Sequence, residues 1–342
     1  MDWSYLVMWA GFVLAAYSVV GNDVIQTLGT FLTSNERRMP WYVLWIFAAV
    51  VLSAALFYGW YNADISYGRL AKFNPPDYYH WYYLLPPIVL LAITRLGIPV
   101  STTFMILTLF SLQNIPNDIS EMTASVFDSS QKLGGMIQKS LMGYVIAFSS
   151  GLLIYLGISK LTERYFIQNP IPDNRQIQWT AIQWMTTGFL WFQWLTQDLA
   201  NIYIYLQGGN SLSGAEFSWS MLVLLALLAF IFYQKGGAVQ DVVRSKTNTV
   251  DIRSATFIDL IYGIILYIFK YDYFGLWGGK LPMSTTWVFV GLLAGRELGL
   301  RLMTQGKLEK QTVKIVLSDL AKIFLGLVIS VLLVFAIKLL AQ

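Results

Sequence analysis

Two kinds of residue group in this sequence could do chemistry, and each occurs twice. The first is a carboxylate among carboxamides: Asn22-Asp23-Val24-Ile25-Gln26, and again Gln197-Asp198-Leu199-Ala200-Asn201. The second is Pro-x-Ser-Thr-Thr: Pro99-Val100-Ser101-Thr102-Thr103, and again Pro282-Met283-Ser284-Thr285-Thr286. Both halves carry them in the same order, which is an internal repeat. The chemistry they suit is ion binding. Serine or threonine caps a helix start, proline is tolerated in the first turn, and the remaining N–H groups and hydroxyls point at an anion. Two such ends make an anion cradle from Ser101, Thr102, Thr103, Ser284, Thr285 and Thr286, with no need of lysine or arginine. Asp23 and Asp198 need the opposite partner. Each sits in an otherwise apolar stretch, where an ionisable group is expensive and marks function. About 5 Å from a bound anion, each costs about 3 kcal/mol at an effective dielectric of about 20. Cations or protons must offset that. The amide oxygens of Asn22, Gln26, Gln197 and Asn201, with the two carboxylates, are hard ligands suited to sodium. The expected site is an anion site flanked by cation sites, as in an anion symporter.

These pieces have to be held in a membrane. The expected fold is an all-α polytopic protein of two repeats, residues 1–159 and 179–342, joined by a linker at 160–178. In the first repeat, Tyr5–Val20 is an apolar run that Gly21-Asn22-Asp23 is expected to break. Trp41–Gly59 is a clean span with Trp41, Tyr42, Tyr58 and Trp60 as interfacial anchors. A polar, aromatic loop covers Tyr61–His80. The run Trp81–Ile93 precedes the first Pro-x-Ser-Thr-Thr, and Leu141–Ile158 spans again. Residues 114–139 read as an interfacial amphipathic helix. The second repeat has the same plan: Trp179–Leu195 up to Gln197-Asp198, a span at Phe217–Tyr233, a polar loop at Gln234–Arg253, Phe257–Phe269, the second Pro-x-Ser-Thr-Thr, and a last span at Ile315–Leu340. Polar breaks at membrane depth must face protein or a water-filled cavity. Paired broken segments meeting near the midplane are typical of secondary transporters.

Composition bounds the alternatives. Charged residues are 12% of 342, about half the ~25% of a soluble domain, and the mean hydropathy is +0.55. The net charge of +4 gives no argument for nucleic acid. The absence of cysteine excludes disulfides, zinc-thiolate sites and cysteine nucleophiles. The single histidine, His80, excludes histidine-rich metal sites and reads as interfacial. Met1-Asp2-Trp3-Ser4 lacks a basic n-region, so the first apolar run is expected to be a retained span. The aromatic clusters Tyr78–Tyr83 and Trp191–Trp194 read as interface belts and span packing, and Arg296–Glu297 as an ion pair. A membrane enzyme acting on lipid would want Asp-rich metal motifs or a histidine base. A sensor that keeps the fold without transport is a third class.

The four motifs also carry a resemblance. The two Asp motifs resemble the Gly-Ala-Asn-Asp-Val-Ala-Asn signature of the inorganic phosphate transporter (PiT) family, and Pro99–Thr103 and Pro282–Thr286 resemble its Pro-x-Ser-Thr-Thr signature. In order, they cover nearly the whole chain. The resemblance implies an inverted-repeat fold with re-entrant helices, frequent homodimers, and sodium- or proton-coupled phosphate uptake across the plasma (inner) membrane. Some members of that family move sulfate. The chain departs from the pattern at Gln26 and Gln197, where the family has asparagine. It departs again at Phe104 and Trp287, where histidine is frequent, and at Arg296-Glu297. These departures bear on ion stoichiometry and substrate more than on fold.

Overall fold

The computed structural model describes residues 2–96, 100–113, 115, 118–158, 163–206, 212–235, 251–273, 275, 281–305 and 310–340. All regular elements among them are helical: α1 Trp3–Asn35, α2 Trp41–Tyr61, a 3-10 turn Trp81–Leu84 leading into α3 Leu85–Arg95, α4 Thr102–Ser111, α5 Ile119–Phe127, α6 Lys132–Ile158, α7 Glu163–Gln168, α8 Asp173–Tyr203, α9 Gly214–Tyr233, α10 Ile252–Tyr271, α11 Thr285–Gln305 and α12 Lys310–Leu340. Six apolar segments, in α1, α2, α5–α6, α9, α10 and α12, are long enough to cross a membrane, as in a multi-pass membrane protein. Trp41, Tyr42 and Tyr58 are exposed on α2, as interfacial anchors would be.

Several boundaries differ from the sequence reading. The largest difference is that neither aspartate breaks its helix. α1 runs unbroken for 33 residues through Gly21-Asn22-Asp23, and α8 for 31 residues through Gln197-Asp198. A helix satisfies its own backbone, so a buried Asp or Asn needs partners only for its side chain. Here neighbouring helices supply them. α8 begins at Asp173, inside the expected linker, which also holds α7. The expected amphipathic helix at 114–139 is instead the nine-residue α5 and the first turns of α6. Most of the polar loop at Gln234–Arg253 lies outside the described residues. α4 has only 10 residues, all buried. At 1.5 Å per residue it is about 15 Å long, half the ~30 Å hydrocarbon layer.

Helices at matching positions of the two halves pack in matching pairs. α1 lies on α3, and its counterpart α8 lies on α10; α4 lies on α12, and its counterpart α11 lies on α6. Each Pro-x-Ser-Thr-Thr helix thus packs on the last span of the other half. Counterparts also meet each other, running antiparallel. Along α1 and α8, Phe12 meets Tyr203 and Asn35 bonds Gln183. Along α2 and α9, Trp41 meets Tyr233 and Trp60 meets Phe217. The α6–α11 contact is the closest. A Cβ on Gly295 would lie 2.0 Å from the Phe148 carbonyl oxygen, and one on Gly291 2.6 Å from that of Tyr144. Small residues four apart let helix backbones approach in this way.

Candidate functional site: an ion centre between four helices

The centre is built on the starts of α4 and α11. Ser101 caps α4, its Oγ accepting from Phe104 N at 3.2 Å. Ser284 caps α11 in the same way, accepting from Trp287 N at 3.3 Å. Pro282 therefore precedes the cap and is not in the first turn, because the serine needs extended backbone to reach back to the helix. Pro99 lies outside the described residues. The two starts hold each other reciprocally. Thr103 Oγ1 donates to the Met283 carbonyl at 3.5 Å, and Thr286 Oγ1 donates to the Val100 carbonyl at 3.3 Å. The next residues, Phe104 and Trp287, pack edge to face at 5.8 Å. The same contact made in both directions gives the junction local two-fold character. Ser284 N donates to Ser140 Oγ of α6, and the Tyr262 hydroxyl of α10 donates to the Thr285 carbonyl.

The aspartates come to this junction from α1 and α8. Asp23 accepts from Asn22 Nδ2 at 2.6 Å and from Thr102 Oγ1 at 2.6 Å, while the Asn22 amide also donates to the Val100 carbonyl. Asp198 accepts from Asn201 Nδ2 at 2.7 Å and from Thr103 Oγ1 at 3.4 Å. Asn201 Nδ2 also reaches Thr102 Oγ1 at 3.1 Å. A continuous chain Asp23–Thr102–Asn201–Asp198 thus joins residues from both halves. All of the candidate residues are buried: Asn22, Asp23, Gln26, Ser101, Thr102, Thr103, Gln197, Asp198, Asn201, Ser284, Thr285 and Thr286. Their hydrophobic surroundings make each bond here electrostatically stronger than in water, and each unmade bond more costly.

Three acceptor oxygens at the centre receive no hydrogen bond: Asn22 Oδ1, Asn201 Oδ1 and Asp198 Oδ2. Two amide oxygens and a carboxylate oxygen, buried and bare, are a donor set for a hard monovalent cation. No three His, Cys, Asp or Glu side chains gather as metal ligands among the described residues, so these oxygens define the cation chemistry on offer. The two glutamines differ from the sequence reading. Gln197 Nε2 donates to the Leu266 carbonyl at 2.9 Å and Gln197 Oε1 accepts from Arg69. Its oxygen therefore already accepts from a cationic donor. Gln26 Nε2 is buried without an acceptor.

Sequence reasoning missed two charged residues. Arg69, from the loop between α2 and α3, reaches the centre's edge. Beyond its bond to Gln197, its Nη1 donates to the Leu281 carbonyl at 2.9 Å, just before the second motif. One lone arginine in a loop without helical periodicity gave no signal. Asp259 of α10 lies deeper along α1 and α8. It accepts from Thr30 at 2.6 Å and from Thr187 at 2.5 Å, next to the buried Ser34–Asn35–Gln183 cluster. The rule that marked Asp23, a carboxylate inside an apolar run, applies equally to Asp259 in Phe257–Phe269. The minor readings sort out simply. His80 is exposed and stacks on Tyr82. Trp191 and Trp194 are buried and stack on each other at 4.8 Å, so they are packing and not an interface belt. Glu297 pairs with Arg301 at 2.9 Å, not with Arg296, since adjacent residues on a helix do not face each other. Compared with known families, curated proteins and solved structures, the chain finds no match.

Proposed function

We propose that the protein is a cation-coupled symporter of a small oxyanion, with inorganic phosphate as substrate and sodium as coupling ion, of the kind the motifs resemble. The observation that carries this is the meeting of two serine-capped helix starts against two buried carboxylates, made reciprocally from both halves. Counterpart helices run antiparallel, which supports reading the halves as inverted repeats about a shared centre. Such an arrangement serves alternating access, one repeat rocking against the other around a fixed site. In this reading the hydroxyls and first N–H groups of α4 and α11 take the anion. Asn22 Oδ1 and Asn201 Oδ1 take the cation, and Asp198 Oδ2 is left to the anion. Binding cation and anion together removes the repulsion that either carboxylate would exert on the anion alone. The buried centre corresponds to an occluded state.

The phosphate assignment rests on one oxygen. Both oxygens of Asp23 already accept hydrogen bonds, whereas Asp198 Oδ2 has no donor within hydrogen-bond distance, with the Thr285 hydroxyl beside the carboxylate. Protonated phosphate can donate to it, and sulfate cannot. An unsatisfied buried acceptor costs about 1–3 kcal/mol, enough for about tenfold discrimination. Competition of labelled phosphate uptake into proteoliposomes tests this. Arsenate, which carries the same protons, is expected to compete well and sulfate poorly. Equal competition by sulfate would replace phosphate by sulfate as the substrate.

A further inference from the structure

We infer that Arg69 is the fixed positive charge of the anion site, and that Lys270 marks the basic approach by which an oxyanion reaches it. This rests on the symporter reading and deepens it, because nothing in the four motifs supplies a cationic group. Arg69 is 2% exposed. Its guanidinium bonds only neutral acceptors, the Gln197 amide oxygen and the Leu281 carbonyl. It takes part in none of the ion pairs among the described residues, and its Nε is buried without an acceptor. Asp198 is its acidic neighbour, close enough to be felt but outside direct ion-pair contact, and a free donor on a planar fork suits a tetrahedral oxyanion. The two acceptors also fix where the charge stands. Gln197 is adjacent to Asp198, and Leu281 lies three residues before the Ser284 cap, so Arg69 is pinned between the second carboxylate and the second helix start.

Two further cations stand near Arg69. Lys139 of α6 and Lys270 of α10 are both close enough to feel its charge. Lys139 is buried. Lys270 is half-buried at the end of α10, its ammonium 4.3 Å over the Tyr67 ring of the Arg69 loop. Asp198 faces Arg69, Asp64 faces Lys270 and Asp272 faces Lys139, which also has Lys72 beside it. The three cations come from three elements, α6, α10 and the loop after α2. The partly exposed Lys270, with the buried charges behind it, raises local anion concentration, an effect weakened by salt. Arg69 also changes the charge count. With both aspartates ionised, it leaves a centre of net charge −1 instead of −2, so one coupling cation fewer is needed to neutralise a bound anion.

The test is the thermal stabilisation of the full chain by inorganic phosphate in saturating sodium, with Arg69→Gln, Arg69→Lys, Gln197→Glu and Lys270→Gln. Phosphate is expected to stabilise the wild type. Arg69→Gln should weaken its half-saturation more than about tenfold, the scale of one charge-assisted hydrogen bond, and Arg69→Lys should restore part of it. Gln197→Glu gives Arg69 an internal counter-ion without removing it. It gives up the Nε2 donation to the Leu266 carbonyl, so a lowered melting temperature is expected, but the folded protein should keep its stabilisation by sodium and lose that by phosphate. It therefore decides the matter even if Arg69→Gln fails to fold. Lys270→Gln should weaken uptake two- to threefold at low ionic strength and not at high salt. Phosphate binding unchanged in Gln197→Glu would overturn the assignment, as would stabilisation by phosphatidylglycerol in mixed micelles in place of free phosphate. A wild type that no oxyanion stabilises would instead remove the symporter reading itself.

Discussion

The two copies of the aspartate motif share a place in the fold but not a state. In the first, Asp23 is closed: Asn22 and Thr102 satisfy both carboxylate oxygens at 2.6 Å, and the mismatch lies in Gln26, whose amide nitrogen lacks an acceptor. In the second, the glutamine is closed, bound by Arg69 and Leu266, and the carboxylate is open at Asp198 Oδ2. A repeat gives two equivalent frames, and substitution within them divides the work. On this comparison Asp23 braces α1 against α4, and under the proposed function Asp198 is the carboxylate left to meet the ions. The frames differ too. α11 meets α6 through glycines with backbone against backbone, whereas a Cβ on Gly326 of α12 would first meet the Val100 side chain just before α4, at 3.1 Å.

The frames give the largest expected effect. Gly295→Leu forces a side chain into the Phe148 carbonyl, which cannot move without its helix. Loss of a monodisperse folded species on size exclusion is expected, beyond the usual ~1–3 kcal/mol of overpacking. Gly326→Ala, against a side chain that can rotate, should change the melting temperature little. Equal tolerance at both positions would erase the contrast between the frames.

The next effect separates the carboxylates. Asp198→Asn should cut sodium-driven uptake about 100-fold, the upper range for losing a bond to a charged group, with little change in melting temperature, because the open oxygen braces nothing. Asp23→Asn should lower the melting temperature, since its amide nitrogen would face the Asn22 or Thr102 donor, at a cost of about 1–3 kcal/mol. If the two variants exchange phenotypes, the division of labour is reversed. Thr102→Val removes the hydroxyl linking Asp23 to Asn201. A similar loss of about 1–3 kcal/mol is expected, with uptake lowered in proportion to the folded fraction.

The glutamines give the smallest effects and the sharpest comparison. Gln197→Asn shortens the reach by about 1.5 Å, breaking the Arg69 contact, and should weaken phosphate more than sodium. Gln26→Asn removes a group without a partner and should leave the sodium titration within about twofold of wild type, since little bonding is lost. An equal change in both would mean that the copies are not specialised.

The sequence made the junction legible because its parts recur in order: the pairing of Thr103 with Met283 and of Thr286 with Val100 follows from two motifs that each need a partner of the same kind. The expected helix breaks do not occur, because a polar residue in an apolar run need not interrupt the backbone: only its side chain has to leave the lipid. Asn22 does so by donating to Val100. Arg69 was invisible for a different reason. Its role depends on a loop folding back onto α8, a contact with no local pattern. The start of α8 at Asp173 was obscured because this helix is unusually polar, its Gln183, Thr187 and Gln193 facing protein and not lipid.

The most direct test of the account is uptake of labelled phosphate into proteoliposomes under an imposed inward sodium gradient, beside matched potassium and pH gradients. Concentrative uptake driven by sodium and lost in Asp198→Asn is the expected result. Uptake indifferent to all three gradients, or undiminished in Asp198→Asn, would contradict coupling at this centre.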